Sequence, residues 1–313
     1  INIFNSVKDF KKKNKSKINY VMSAITGIDG LKPTLDIINI TEEIAIANKE
    51  SIICGWNLIA KELKKYKTKF IPVDSEHFSI FYSLNKNDIS NIEKIYLTAS
   101  GGPLNNISIK KFKLIKISEA INHPNWKMGK KISIDSSTMM NKLFEVIEAK
   151  KIFNLSYKKI KILIHPKSYV HALLKFNDGM IKIIAHDTNM TIPIYNSLHF
   201  KKNFNLKTKK IDLKKLNNLN FIEVDYKKFP LINILSKLPN SDSLFETVIV
   251  ATNDEFVKLY LSGKIEYIDL VNNINKFISL PEFKKFKLIK PKKIKTIEKL
   301  NSYVRLKINS MSV

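Results

Sequence analysis

From residue 18 to residue 73, short apolar runs alternate with helical patterns, and this rhythm constrains the fold more than any other feature of the chain. Residues 18–24 read as a buried strand, 27–38 as a helix, 43–47 as a strand, 55–66 as a helix and 69–73 as a third strand. Strands separated by helices run parallel, because a tight turn cannot connect them. The expected fold class is therefore α/β, with Asp74-Ser75-Glu76 at the carboxyl end of a strand, the edge where open parallel sheets bind ligands.

The same reading places strands at 94–98, 131–134, 161–164, 171–176 and 180–185, with a helix over 137–153. Residues 201–240, rich in Lys and Asn and without periodicity, read as a linker. Helical patterns over 244–261, 267–278 and 294–308 predict a small helical domain at 241–313. At 313 residues with 44% hydrophobic content, the chain has material for more than one buried core.

The net charge, 54 minus 28 or +26, invites a nucleic-acid or membrane-surface reading. Against it, the lysines are spread along the whole chain, and Arg305 is the single arginine, although arginine is the preferred bidentate reader of bases and phosphates. No apolar run reaches the ~18 residues a membrane helix needs. Neither nucleic acid nor membrane is expected as a partner. Cys54, alone, excludes an intramolecular disulfide and fits a reducing compartment. The chain starts without Met, inside an amphipathic pattern over 1–17, so further sequence is expected upstream.

Asp74 and Glu76 are two apart and can turn toward one cation at a strand end. With Glu145 they form an all-oxygen set suited to Mg²⁺ or Mn²⁺. Alone, Asp-x-Glu is as readily a pair of solvated acids. Asp135-Ser136-Ser137-Thr138 reads as a helix start that could hold a phosphate on hydroxyls and free N–H groups, or serve simply as an N-cap. Asn141 and Glu145 lie at i and i+4, with Lys142 beside them. Ser100-Gly101-Gly102-Pro103 allows close backbone approach to an anion or a plain tight turn. His123-Pro124-Asn125-Trp126-Lys127-Met128-Gly129 suits a closing loop or a surface loop anchored by Trp126. Asn48-Lys49-Glu50-Ser51 follows a strand and would face the ligand edge. His171 and Met190 are candidates for a pocket wall or for plain packing. No glycine pattern of the P-loop or G-x-G-x-x-G type occurs.

These segments stand in the order and approximate spacing of the 1-deoxy-D-xylulose 5-phosphate reductoisomerase family, which the chain resembles over essentially its whole length. Residues 164–166, 170–171 and 251–253 continue the resemblance. It implies conversion of 1-deoxy-D-xylulose 5-phosphate to 2-C-methyl-D-erythritol 4-phosphate in non-mevalonate isoprenoid synthesis, with NADPH and Mn²⁺ or Mg²⁺, Co²⁺ being a further option. It implies Asp74, Glu76 and Glu145 as metal ligands, and Lys49, Glu76 and His123 as catalytic residues. Substrate contacts would be Lys49, Ser75, Glu76, Ser100, His123, Ser136, Asn141, Lys142 and Glu145, with Ser100, Ser136, Asn141 and Lys142 on the phosphate. Asn48, Glu50 and Gly129 would touch NADPH, and Trp126 with Met128 would form a flap. The family also implies a homodimer, cytoplasmic in a bacterium or plastidial in a eukaryote.

The resemblance further implies a domain plan: 1–74 as the remnant of an NADPH domain, 75–200 as the catalytic domain, then the linker and the helical domain. The family's first glycine-rich βαβ unit has no counterpart here, so weak or absent NADPH binding is expected. The rival reading is a non-redox phosphosugar-binding protein without the nucleotide unit. Residues 185–191 depart from the family's Gly-Asp-Pro-Asp-Met-Arg, and Leu143 stands where Gly is common.

Overall fold

The structure, a computed structural model, describes residues 2–14, 16–84, 89–199 and 205–311. A short helix α1 (Val7–Lys13) precedes β1 (Ile18–Ser23), α2 (Leu31–Ile38), β2 (Thr41–Ile46), α3 (Lys49–Tyr66) and β3 (Lys69–Pro72). The three strands form one parallel sheet in the order β1-β2-β3, as the alternating pattern predicts. Helices α2 and α3 pack so closely that a Cβ on Gly55 would lie 2.5 Å from the Leu31 side chain. Helix α3 begins six residues before the apolar pattern suggests, because Asn48 caps it, its side chain accepting from Ser51 N–H at 2.5 Å.

After α4 (Ser75–Ser83) and β4 (Ile92–Ala99) come α5 (Ile117–Ile121), α6 (Lys130–Ser137) and α7 (Met140–Ile152). Next are β5 (Ile160–Ile164), β6 (Val170–Phe176), β7 (Ile181–Ala185), α8 (Thr191–Leu198), α9 (Leu213–Leu216) and β8 (Ile222–Glu223). The second sheet is mixed, ordered β7-β6-β4-β5-β8, with β4 and β5 parallel and the other pairs antiparallel. The chain closes with α10 (Phe245–Leu261), α11 (Tyr267–Ile278), α12 (Pro281–Lys284) and α13 (Ile294–Met311). The α/β class with a helical C-terminal region is as expected.

Three local expectations are corrected. Residues 131–134 are helix rather than strand, lying inside α6. The helix expected from 137 starts only at Met140: Thr138 closes α6, and Met139 takes the left-handed conformation (φ 62°) between the two helices. The stretch expected as a linker is also packed. Beyond residues 201–204, which lie outside the described residues, it contributes β8 and a 3-10 helix (Pro230–Lys237) whose Leu231, Ile232 and Ile234 are buried in the main core with Phe229. That core runs from Ile28 to Ile308, so apolar packing joins the parallel-sheet half to the C-terminal helices.

Candidate active site

A cavity of about 750 Å³ opens between the carboxyl edge of the β1-β2-β3 sheet, the end of β4 and the α6–α7 junction. Each candidate site residue named from sequence lines it: Asn48, Lys49, Glu50, Asp74, Ser75, Glu76, Ser100, His123, Trp126, Met128, Gly129, Ser136, Asn141, Lys142 and Glu145.

Asp74 leaves the end of β3 and caps α4, accepting from Glu76 N–H at 3.3 Å. Glu145 comes from one turn inside α7. Carboxylate oxygens of Asp74, Glu76 and Glu145 lie within 4.8 Å of one another, a spacing that suits a divalent cation. Two ammonium groups balance these acids. Lys49 Nζ sits 2.7 Å from Asp74 and 3.6 Å from Glu145, while Lys142 Nζ is 2.6 Å from Glu76 and also bonds Glu145. Burial opposes the charge on both lysines, yet the carboxylates outweigh it and raise their pKa values. Burial, then the neighbouring Glu76, pushes the Glu145 carboxyl up to about 7. Asp74 goes the other way: burial would raise it, but Lys49 and His77 hold it well below the usual carboxylate range.

Two residues of this cluster were not singled out from sequence. Glu148, buried one turn after Glu145, lies 3.3 Å from Lys49, and burial pushes it up to about 7. His77, fully buried, reaches the Glu145 carbonyl through Nε2 at 2.9 Å and faces Asp74 through Nδ1 at 3.4 Å. Burial disfavours its charge, but Glu148 and Asp74 outweigh that and raise it to about 9. The signals were present: Glu148 at i+3 from Glu145, and His77 at i+3 from Asp74 on α4.

The anion side is built differently from the expectation. Ser136 lies in the last turn of α6, where the dipole does not favour an anion. The free N–H groups belong instead to the first turn of α7, which holds Asn141 and Lys142. Ser100 meets this point because the Gly101-Gly102 turn packs onto α6: both have positive φ, and a Cβ on Gly102 would lie 2.5 Å from the Ser136 carbonyl oxygen. His123 Nδ1 accepts from the Asn125 and Trp126 N–H groups at 3.2 and 3.0 Å, which puts the proton of the neutral ring on Nε2. Nε2 therefore donates to Ser100 Oγ at 2.9 Å, leaving the hydroxyl proton of Ser100 to a ligand. Burial holds His123 down to about 4, so the ring is neutral near pH 7.

On the opposite wall, Asn48 is spent on the fold. Its Oδ1 caps α3 while its amide binds the Ile25 carbonyl and, at 2.8 Å, that of Gly27. Glu50 pairs with Lys131 at 3.2 Å, and Lys131 also holds Asp135 at 2.9 Å and Asp254 at 3.0 Å. Gly129 opens α6 with free space at its Cα. Trp126 is half-buried in the cavity wall, its ring centroid 6.2 Å from that of His171. Cys54 is buried and does not line the cavity, and burial pushes its thiol up.

A parallel α/β half, a buried carboxylate trio and a helix start presenting Asn and Lys define a metal-site enzyme of the α/β class. The chain belongs to the 1-deoxy-D-xylulose 5-phosphate reductoisomerase family. A family model of that description matches residues 5–55, and models described as that enzyme's C-terminal domain match 70–153 and 187–307. The reductoisomerase of Pelagibacter ubique (strain HTCC1062) is 60% identical over 315 residues, spanning 100% of this chain and 81% of that one. The reductoisomerase of Clostridium novyi (strain NT) is 37% identical over 293 residues, 94% of this chain and 76% of its own. Among solved structures, a reductoisomerase in complex with NADPH, fosmidomycin and magnesium superposes with TM-score 0.82 at 30% identity, covering 98% of this chain and 78% of that one. The enzyme from Zymomonas mobilis in complex with NADPH gives TM-score 0.82 at 29% identity, covering 94% and 75%.

Proposed function

We propose that this chain catalyses the NADPH-dependent, metal-dependent isomerisation and reduction of 1-deoxy-D-xylulose 5-phosphate to 2-C-methyl-D-erythritol 4-phosphate. The observation that carries this reading is the carboxylate trio beside the α7 start in one cavity, because it suits a cation and a phosphate on one small substrate. Asp74, Glu76 and Glu145 hold Mg²⁺ or Mn²⁺. The cation supplies Lewis-acid stabilisation of developing oxygen charge, and NADPH supplies the hydride.

The protein's own share is placement. Ser100 and Ser136 hydroxyls, the Asn141 amide and the Lys142 ammonium take the phosphate. Lys49, already paired to Asp74, stands between the metal ligands and the Asn48–Glu50 wall, where it can stabilise negative charge on a substrate oxygen. Neutral His123 orients Ser100 and presents no competing charge. Asn48, Glu50 and Gly129 form the wall toward NADPH, and Trp126 with Met128 forms the lid.

The assembly is a homodimer joined at β7. Among the described residues, that edge strand pairs only with β6, and Ile181 and Ile183 on it are 55% and 50% exposed. No helix among the described residues is long and apolar enough to cross a membrane. The Pelagibacter and Clostridium relatives are bacterial, which supports a bacterial, cytoplasmic enzyme.

The test is calorimetric titration with fosmidomycin, with and without Mg²⁺, beside Glu76→Gln, followed by NADPH consumption on the phosphosugar. Magnesium-dependent binding that Glu76→Gln abolishes is expected. Metal-independent binding, or binding indifferent to the substitution, overturns the site assignment.

A further inference from the structure

The segment 185–191 carries a histidine packed against a residue of the cavity wall. His171 lies on β6 opposite an irregularity in the β6–β7 register, between Val170↔Ala185 and Ala172↔Ile184. A bulge of this kind re-aims a side chain. Here the His171 ring lines the cavity, with Nε2 3.1 Å from the His186 carbonyl oxygen. That carbonyl accepts, so Nε2 carries the proton in the neutral ring and Nδ1 remains an acceptor, with no hydrogen bond to it among the described residues. The His186 ring stacks beneath it, centroids 3.6 Å apart and planes 17° apart, and is fixed by its own Nδ1 donating to the Asp187 carbonyl at 2.8 Å. The ring of Trp126, in the proposed lid, also meets His171, centroids 6.2 Å apart and planes 69° apart.

We propose that His186 is a positioning residue: its ring props His171, so that His171 presents Nδ1 to a substrate hydroxyl and gives Trp126 its seat. His186 itself touches no substrate in this reading. The inference rests on the function proposed above. An aromatic carbocycle at 186 would preserve the stack, whereas a small residue would leave His171 unsupported on one face.

The chain has two tryptophans, Trp56 and Trp126, and Trp56 packs on Phe70 away from the cavity. A Trp56→Phe background therefore makes Trp126 the sole tryptophan, read by excitation where tyrosine does not absorb. In that background, fosmidomycin with Mg²⁺ is titrated while Trp126 emission is followed, for His186, His186→Ala and His186→Phe, with thermal unfolding of each. Expected for His186→Ala is about tenfold weaker binding, the scale of one lost aromatic pair, with a reduced emission change. His186→Phe should restore both, and unfolding midpoints of the three should agree closely. Equal binding and emission change in His186→Ala overturn this inference alone, as does failure of Phe to rescue when both variants are folded. No metal-dependent binding by the protein with His186 intact overturns the function reading, and this one with it.

Discussion

Lys49 and Glu148 meet at 3.3 Å beneath the metal trio, and neither side chain reaches solvent freely. Glu148 shares the ammonium with Asp74 and Glu145, two of the proposed cation ligands, and so weakens its hold on them. Partners of this kind, one shell behind the ligands, commonly change metal affinity 10–100-fold. Glu148→Gln should weaken Mn²⁺ binding by about tenfold, because Lys49 then bonds Asp74 and Glu145 more tightly and competes with the ion. Calorimetry on the folded variant checks it. Unchanged affinity would show that Glu148 merely balances charge.

Lys49→Met makes the complementary test. It leaves Asp74, Glu145 and Glu148 with less compensation in a buried setting, and breaking such pairs costs about 3–5 kcal/mol. The variant should unfold at markedly lower urea in the presence of a chelator. Saturating Mg²⁺ should recover part of the loss, about 2.7 kcal/mol at a hundred times the dissociation constant. A variant as stable as the parent without metal would contradict the charge balance described here.

The carboxylate trio was legible because its members are chemically unusual in a lysine-rich chain and fall at strand and helix ends that the apolar rhythm marks. Helix α6 was not. Lys131-Ile132-Ser133-Ile134 alternates with period two, the strand signal, yet residues two apart on a helix point roughly 200° apart. Accordingly Ile132 is 39% exposed and Ile134 fully buried. What decides for helix is tertiary: Lys131 and Asp135 pair at i and i+4, Asp135 accepts from Asn253 at 2.8 Å, and Tyr267 donates to the Ser137 carbonyl at 2.9 Å. Asn253 and Tyr267 are both more than a hundred residues away in sequence. The packed 229–238 stretch was hidden similarly, since its apolar residues sit among Lys and Asn without a period and find their core only in three dimensions.

Gly102→Ala probes the joint between the β4 end and α6. The residue has φ 68°, and its new Cβ would lie 2.5 Å from the Ser136 carbonyl oxygen, a backbone atom that cannot swing aside. The left-handed conformation alone costs roughly 1–2 kcal/mol for an L residue, and the clash adds to it. The variant should lose at least about 2 kcal/mol in urea unfolding. It should also lose fosmidomycin affinity, because Ser100 and Ser136 move apart. Loss of stability with intact binding would mean that these two hydroxyls do not share a ligand.

The pH dependence of stability offers a final check on His171. Burial, then the adjacent His186, lowers this ring to about 4. An unfolded chain binds its proton near 6.5, so between these values the unfolded state holds more protons and stability rises with pH. The contribution is therefore fully present above about pH 6.5 and lost as the pH falls toward 4, by at most roughly 3 kcal/mol. Glu145 and Glu148, raised to about 7, act in the opposite direction over an overlapping range, so the wild-type profile alone is not diagnostic. The difference between the wild-type protein and His171→Gln isolates the ring. That difference should rise in favour of the wild type from pH 4 to 6.5 and level off above it. A difference flat across this window would mean that His171 is solvated and can take a proton in the folded state, contrary to its burial in contact with His186 and Trp126.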